Sequence, residues 1–349
     1  LVEKPLEKTF NWRRGIFNDK DGRFYYDKKM GKIIPHLATP ENQMLCGSCW
    51  AISSSSIIGD NFVISGLVDT YPNLSTTFCL ACYPQKQCKG GNPSKLLKDI
   101  SKYGIVTNHC IDYSWCSENK FCNGSALKHF KQQHAKGKAP SSNLSELIPN
   151  CGCYNQGNFY KFKIDNEPGP QRISIGEKNN LTQSRFRNII KAHIRHRGPV
   201  VGAFLVFENF MHGKFTKSKE TKGIYLENAI YNDGKTIYKD LDRHTYKGSH
   251  AIGIIGWGIE KNVQINDKGD KINCPYWYCR NSWTEKWGDG GYFKIAMHPY
   301  NKFSQFDKLV TINTPFGRTQ GGGMIIFSVS EPPEKVPMNQ IEKTFVRGK

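Results

Sequence analysis

Apolar residues follow two different rhythms along this chain. Between 49 and 65, Trp50, Ile57, Ile58, Phe62 and Ile64 return at near-helical spacing and Gly66 suits a stop, so a helix is predicted to begin at Cys49. A second helix is predicted from Pro93, at the first helical position behind an Asn92 cap, through Leu96, Leu97 and Ile100 to Gly104. A third, SRFRNIIKAHIRHRG (184 to 198), puts Phe186, Ile189, Ile190, His193 and Ile194 on one face. Beyond it the rhythm shortens, and VVGAFLVF (200 to 207), HAIGIIGW (250 to 257), YWYCRNS (276 to 282) and GYFKIAM (291 to 297) read as strands. A helical, cysteine-rich first half and a β-rich second half predict an α+β protein of two unlike lobes with a cleft between them. We place the helical lobe at about 40–160 and the β-rich lobe at about 161–316, together one domain (1–316) followed by an extension at 317–349.

Composition narrows the function classes. No apolar run approaches the roughly 18 residues of a membrane-spanning helix, so no membrane role is expected. The 49 Lys and Arg against 30 Asp and Glu give a net charge of +19. These charges are scattered or sit in runs such as KFTKSKETK (214 to 222), without the interleaved aromatics of a nucleic-acid surface, so a solvated basic exterior is expected. The polar stretch KQQHAKGKAPSSN reads as an exposed insertion. Twelve cysteines, with sequons at Asn73, Asn123, Asn143 and Asn180, point to a secreted, lysosomal or other oxidising compartment. A cytoplasmic or particle-packaged protein is the alternative. The chain opens LVEKPLEKTF, without Met or an apolar leader, so any signal peptide or pro-segment is expected to be cleaved or to lie outside this sequence.

The candidate chemistry centres on QMLCGSCWAI (43 to 52). A cysteine in the first turn of a helix faces the positive end of its dipole, which favours thiolate over thiol, so Cys49 is placed to be a nucleophile. Its base must be an oriented histidine, and of ten histidines His250, opening the apolar strand of GSHAIGIIGWG, has the best context. His193 reads as a packed helix-face residue, and His109, His129, His134, His196 and His298 as surface. Asn281 can orient His250, and Trp283 can cover that hydrogen bond from water. Gln43 can project an N–H toward a tetrahedral oxyanion beside the backbone N–H of Cys49. The pairs CLAC (79 to 82) and CGC (151 to 153) also look like zinc ligands, and Cys46 with Cys49 like a redox pair. The tryptophan after Cys49 and the lack of a thioredoxin-like βαβ pattern weigh against the redox alternative.

QMLCGSCWA, CKGGNP, GSHAIGIIGWG and RNSWTEKWGDGGYF, in that order and with FNWR near the start, resemble the papain family of cysteine proteases. The likeness covers residues 10 to about 297. Within the family, GIY (223 to 225), GWGI (256 to 259) and the cysteines six apart at 116 and 122 are similar to cathepsin X (cathepsin Z). The resemblance implies a papain-like two-lobe fold, an acyl-enzyme mechanism through Cys49, His250, Asn281 and Gln43, and no cofactor or metal. Implied partners are protein or peptide substrates and an inhibitory pro-segment.

The same resemblance implies disulfides Cys46–Cys88, Cys82–Cys116 and Cys110–Cys122, leaving Cys79, Cys151, Cys153, Cys274 and Cys279, of which Cys79, Cys274 and Cys279 read as buried apolar residues. It assigns Gly90 and Gly91 to hydrogen bonding with an extended substrate backbone, against the plainer reading of a tight turn, and Pro93, Ala203 and Ala251 to a side-chain pocket, with Trp283 nearby. Two departures matter. Cys49 and His250 lie about 200 positions apart against the roughly 130 to 150 usual, the excess falling in insertions at about 208–222 and 228–246, read as exposed loops, with a further insertion at about 16–38 before Cys49. And Gln43 runs through Met44 and Leu45 directly into Cys46, without the insertion that makes cathepsin X a carboxypeptidase, so an endopeptidase is expected. A cathepsin X-like carboxypeptidase or a silent scaffold kept for binding is the alternative.

Overall fold

The computed structural model describes residues 6–15, 24–27, 32–35, 37–83, 85–116, 151, 159–176, 181–232, 235–241, 245–314 and 317–336. The sequons at Asn123, Asn143 and Asn180, the polar stretch at 131–143, His129, His134, Cys122 and Cys153 lie outside them. The chain divides into two compact units: 42–171 with 35–38 and 327–349, and 172–326 with 1–34 and 39–41.

The first unit is built around the helix Cys49–Ile64, which is buried from Trp50 to Ile64 without a solvent face. Such a helix can hold serines only if their hydroxyls are satisfied locally. Ser53 and Ser54 donate to the carbonyls of Cys49 and Trp50 (2.7 Å each), and Ser55 and Ser56 to those of Ile52 (3.2 Å) and Ser53 (3.3 Å). The helix Pro93–Tyr103 starts where predicted: the Asn92 side chain accepts from the Ser94 N–H at 2.9 Å and Pro occupies the first position. Its Leu96, Leu97 and Ile100 are fully buried, each contributing roughly 1.5–3 kcal/mol relative to exposure. Gly104 ends it at φ +84°, where any side chain would also strike Lys161. A three-stranded antiparallel sheet follows, Ile105–Val106 and Glu334–Val336 flanking Phe159–Phe162.

The second unit carries an eight-stranded sheet. Its order is Gln171–Ile173, Met324–Ile326, Val200–Phe207, Tyr246–Gln264, Lys271–Arg280, Tyr292–Ala296 and Ile224–Tyr225, with Phe10–Asn11 also paired to Tyr246–Gln264. The apolar runs at 200–207, 250–257, 276–282 and 291–297 thus become its centre. The helix Gln183–His196 buries Phe186, Ile190 and Ile194, whereas Ile189 is 36 % exposed and His193 half-buried, a narrower face than the spacing predicts. Residues 317–336, expected to be an extension, instead supply strands to both units.

Two expectations are corrected. The segment 208–222 is not a loose loop: Phe210 and Phe215 are fully buried and stacked at 5.4 Å, and within 228–246 the strands Ala229–Asn232 and Lys235–Tyr238 form an antiparallel pair. Two aromatic anchors among lysines set the path of the segment despite its polar composition, because Phe210 packs against the rings of Tyr225, Trp287 and Phe293. Cys82, second, is bonded to Cys151 and not to Cys116. Cys116 lies instead beside the Gln43 carbonyl (Sγ to O 4.0 Å) and, like Cys110, is itself in a disulfide. The bridge Cys46–Cys88 is present. The new bridge also takes one thiol from each of the CLAC and CGC pairs. Cys79, Cys274 and Cys279 are buried thiols, and burial pushes Cys274 up to about 12, so they are poor nucleophiles. Non-reducing peptide mapping is expected to return Cys46–Cys88 and Cys82–Cys151 peptides; a Cys82–Cys116 peptide would contradict this connectivity.

Candidate active site

The first unit presents Cys49 at the start of its buried helix, half-exposed and outside any disulfide. The loop before it is held from three sides. The Gly47 N–H donates to the Cys88 carbonyl at 2.8 Å, beside the Cys46–Cys88 bridge, and a Cβ on Gly47 would sit 2.5 Å from that oxygen. Tyr113 donates its hydroxyl to the Gln43 carbonyl (3.1 Å) and shares a hydrogen bond with Ser48 Oγ (2.8 Å). Gln43 Nε2, an amide nitrogen with two N–H donors, donates to the Cys46 carbonyl at 3.1 Å, which fixes the orientation of the amide.

Gly90 and Gly91 differ in what makes them glycine. Gly90 has φ +98° with open space around it, whereas a Cβ on Gly91 would overlap the Trp50 ring. Trp50 in turn donates its indole N–H to the Gln87 carbonyl at 3.2 Å. Gly91 therefore serves close packing of the turn, and Pro93 is buried as the first residue of its helix.

The second unit presents His250, Asn281 and Trp283 together. His250 sits on Tyr246–Gln264 just after a bulge between Tyr246 and Gly248, and is buried. Asn281 Oδ1 accepts from the Ser282 backbone N–H at 2.8 Å, which identifies that atom as the oxygen, since a backbone N–H only donates. His250 Nε2 lies 2.7 Å from the same oxygen. It must therefore be the donor, and Nδ1 is left as the ring atom able to take up a proton.

Trp283 stacks on the imidazole (centroids 4.6 Å apart, 25° between planes), with Trp287 edge-on at 5.3 Å and Phe210 at 5.7 Å behind it. The loop carrying these residues turns back through Thr284, Gly288, Gly290 and Gly291, all at positive φ, and the Asn281 N–H donates to the Gly291 carbonyl at 2.9 Å. Arg13 of FNWR clamps it, donating to Asp289 (2.6 Å) and to the Tyr278 hydroxyl (2.5 Å) while lying 4.3 Å over the Tyr292 ring. Ala203 and Ala251 are cross-strand partners, two small side chains on the sheet face opposite to that of His250. Phe210, Trp287 and Arg13 are the supporting residues that sequence reasoning missed. FNWR was visible as a motif, but its contact with the Asn281 loop was not.

Residues 27–310 match the family model of the papain family cysteine proteases. The chain belongs to that family. By family it is a cysteine-type peptidase. It is 43 % identical over 98 % of its length to the probable cysteine proteinase 024R of Invertebrate iridescent virus 3, covering 67 % of that protein. It is 39 % identical over 97 % of its length to the probable cysteine proteinase 361L of Invertebrate iridescent virus 6, spanning 64 % of its length. Its fold is that of proCathepsin B S9 from Trypanosoma congolense, at TM-score 0.50 and 19 % identity over 95 % of this chain and 80 % of that one. Among the described residues no helix is long and apolar enough to cross a membrane.

Burial holds His250 down to about 4, and the Asn281 hydrogen bond opposes that only in part. The imidazole is therefore neutral at neutral pH unless an anion stands opposite Nδ1. In Cys49→Ala, which cannot supply a thiolate, NMR titration should find His250 near 4. Since unfolded histidine titrates at about 6.5, the folded variant then binds fewer protons between roughly pH 6.5 and 4, and its stability falls as pH drops through that window. A His250 titrating at 6 to 7 in this variant would contradict the assignment.

Proposed function

We propose that this chain is an endopeptidase in which Cys49 is the nucleophile and His250 its acid and base. The observation that carries the reading is the buried Nε2–H···Oδ1 bond to Asn281 under Trp283, because it reserves Nδ1 for the catalytic proton. The thiol proton passes to Nδ1, giving an imidazolium whose burial the thiolate charge compensates. The thiolate attacks the peptide carbonyl carbon, and the oxyanion takes hydrogen bonds from the Cys49 backbone N–H and the Gln43 side-chain amide. The C–N bond breaks as the imidazolium protonates the leaving amine. Water, deprotonated by the neutral imidazole, then cleaves the thioester and releases the acid with Cys49 restored.

Cleavage at interior bonds fits two features. Only Met44 and Leu45 separate Gln43 from Cys46, and Leu45 is 66 % exposed, so no insertion stands there. Of the two other sources of an obstruction, 208–222 is anchored in its own unit by Phe210 and Phe215, and 228–246 carries the antiparallel pair Ala229–Asn232 and Lys235–Tyr238. Substrates are polypeptides, a pro-segment is an inhibitory partner, and the bridges fit folding in an oxidising compartment.

Cys49→Ala and His250→Ala are expected to lose peptide hydrolysis, about 10³-fold or more, with the fold retained, and Asn281→Ala to be slowed but active. Internally quenched peptides with blocked C-termini should be cut at interior bonds. Stepwise release of C-terminal residues, with blocked peptides uncut, would overturn the endopeptidase reading. Full activity in Cys49→Ala would overturn the mechanism.

A further inference from the structure

The unit that carries His250 also holds a cavity of about 400 Å³ whose described lining includes Lys214, Lys217, Lys219, Lys235 and Lys286. One carboxylate, Glu220, is among them; Ser218 Oγ and Thr236 Oγ1 donate to it at 3.1 and 3.0 Å, which favours its charged form, so it offsets one of the five positive charges and leaves an excess of four. Among the described residues Lys217, Lys235 and Lys286 make no ion pair. Five ammonium groups around one concave surface raise each other's energy unless an anion enters, and a concave wall strengthens the field such an anion feels.

The cavity adjoins the catalytic loop. Gly288, also in its lining, follows Trp287, and Gly213 approaches Gly288 so closely that a Cβ there would sit 2.8 Å from the Gly288 nitrogen. Trp287 donates to the Met211 carbonyl at 2.7 Å and packs on Trp283, which covers His250. In the mechanism proposed above, His250 protonates the leaving amine, so the product segment after the scissile bond departs on the His250 and Trp283 side. Every element of the cavity comes from the segments inserted between the sheet strands, apart from Gly288 and the exposed Lys286, which contacts none of the catalytic side chains described above.

We infer that this lysine-lined cavity is a specificity site for substrates with acidic side chains a few residues after the scissile bond. The inference rests on the peptidase reading for its position, though not for its charge. An acidic polypeptide fits better than a nucleic acid: Tyr231 in the described lining is buried with its hydroxyl accepting from the Leu226 N–H at 3.0 Å, which leaves the imidazole of His212 as the one exposed ring beside five lysines, too little stacking surface for a run of bases.

The test uses two internally quenched peptides identical up to the scissile bond. One carries Asp and Glu at the third to sixth following positions, a reach of roughly 10 to 20 Å in extended chain; the other carries Asn and Gln. The full chain should cleave the acidic peptide with kcat/KM on the order of tenfold higher, a preference that shrinks at high salt. The triple variant Lys217→Gln, Lys235→Gln, Lys286→Gln should lose the preference while cleaving the neutral peptide as before. Cys49→Ala should bind the acidic peptide more tightly than the neutral one, by fluorescence anisotropy, and the same three substitutions should remove the difference. Preference by binding without cleavage by the full chain would uphold the acidic site and overturn the peptidase reading. Equal cleavage and equal binding of the two peptides, a preference unchanged in the triple variant, or equal displacement of the acidic peptide by a charge-matched oligonucleotide would overturn the inference.

Discussion

The arrangement depends first on one buried hydrogen bond, from His250 Nε2–H to Asn281 Oδ1. A neutral imidazole offers one donor and one acceptor, and this bond decides which is which. It holds only if the amide oxygen faces the ring, which the Ser282 N–H ensures by donating to the same atom. It also needs a dry environment, because water would compete for both partners, and Trp283 lying over the imidazole excludes it. The need to support Trp283 explains the aromatic cluster behind it, and the need to hold Asn281 in place explains Arg13, Asp289 and the three left-handed glycines of the loop.

The nucleophile is fixed by a different device. Cys49 begins a helix with no solvent face, so its position is set by packing along the whole length of Trp50 to Ile64 rather than by one contact. The preceding loop is pinned by a disulfide, by a glycine pressed on the Cys88 carbonyl, and by Tyr113 bridging Gln43 and Ser48. Each device restricts the loop differently, so loss of one need not release it. Such rigidity suits oxyanion donors, which lose effect when they must reorganise during the reaction.

Much of this was legible in the sequence because it is local. Helix starts at Cys49 and Pro93, the Gly104 stop and the four central strands follow from spacing and capping within a few residues. Cys49, His250, Asn281 and Trp283 stood out because each lies in a motif whose residue types fit one chemistry. What was not legible depends on contacts distant in sequence. Cys82 finds Cys151 across 69 residues, a pairing that cysteine spacing leaves open. Phe210 and Phe215 stand among lysines and glycines, and only the fold shows that Trp283 and Trp287 wait for them. The missing side chain of Gly91 was read for a substrate backbone, and the fold adds that it makes room for Trp50, because absence of a side chain does not reveal which neighbour needs the space.

The central claim is that Cys49 reacts as a nucleophile because His250 takes its proton. A peptidyl epoxide, followed by intact-mass measurement and peptide mapping, tests this most directly, since it asks for attack by the thiolate and not for turnover. The account predicts one adduct per chain, on Cys49, and its loss in His250→Ala even though a small alkylating reagent still reaches the Cys49 thiol. An adduct on another cysteine, or labelling of Cys49 at the same rate in His250→Ala, would contradict it.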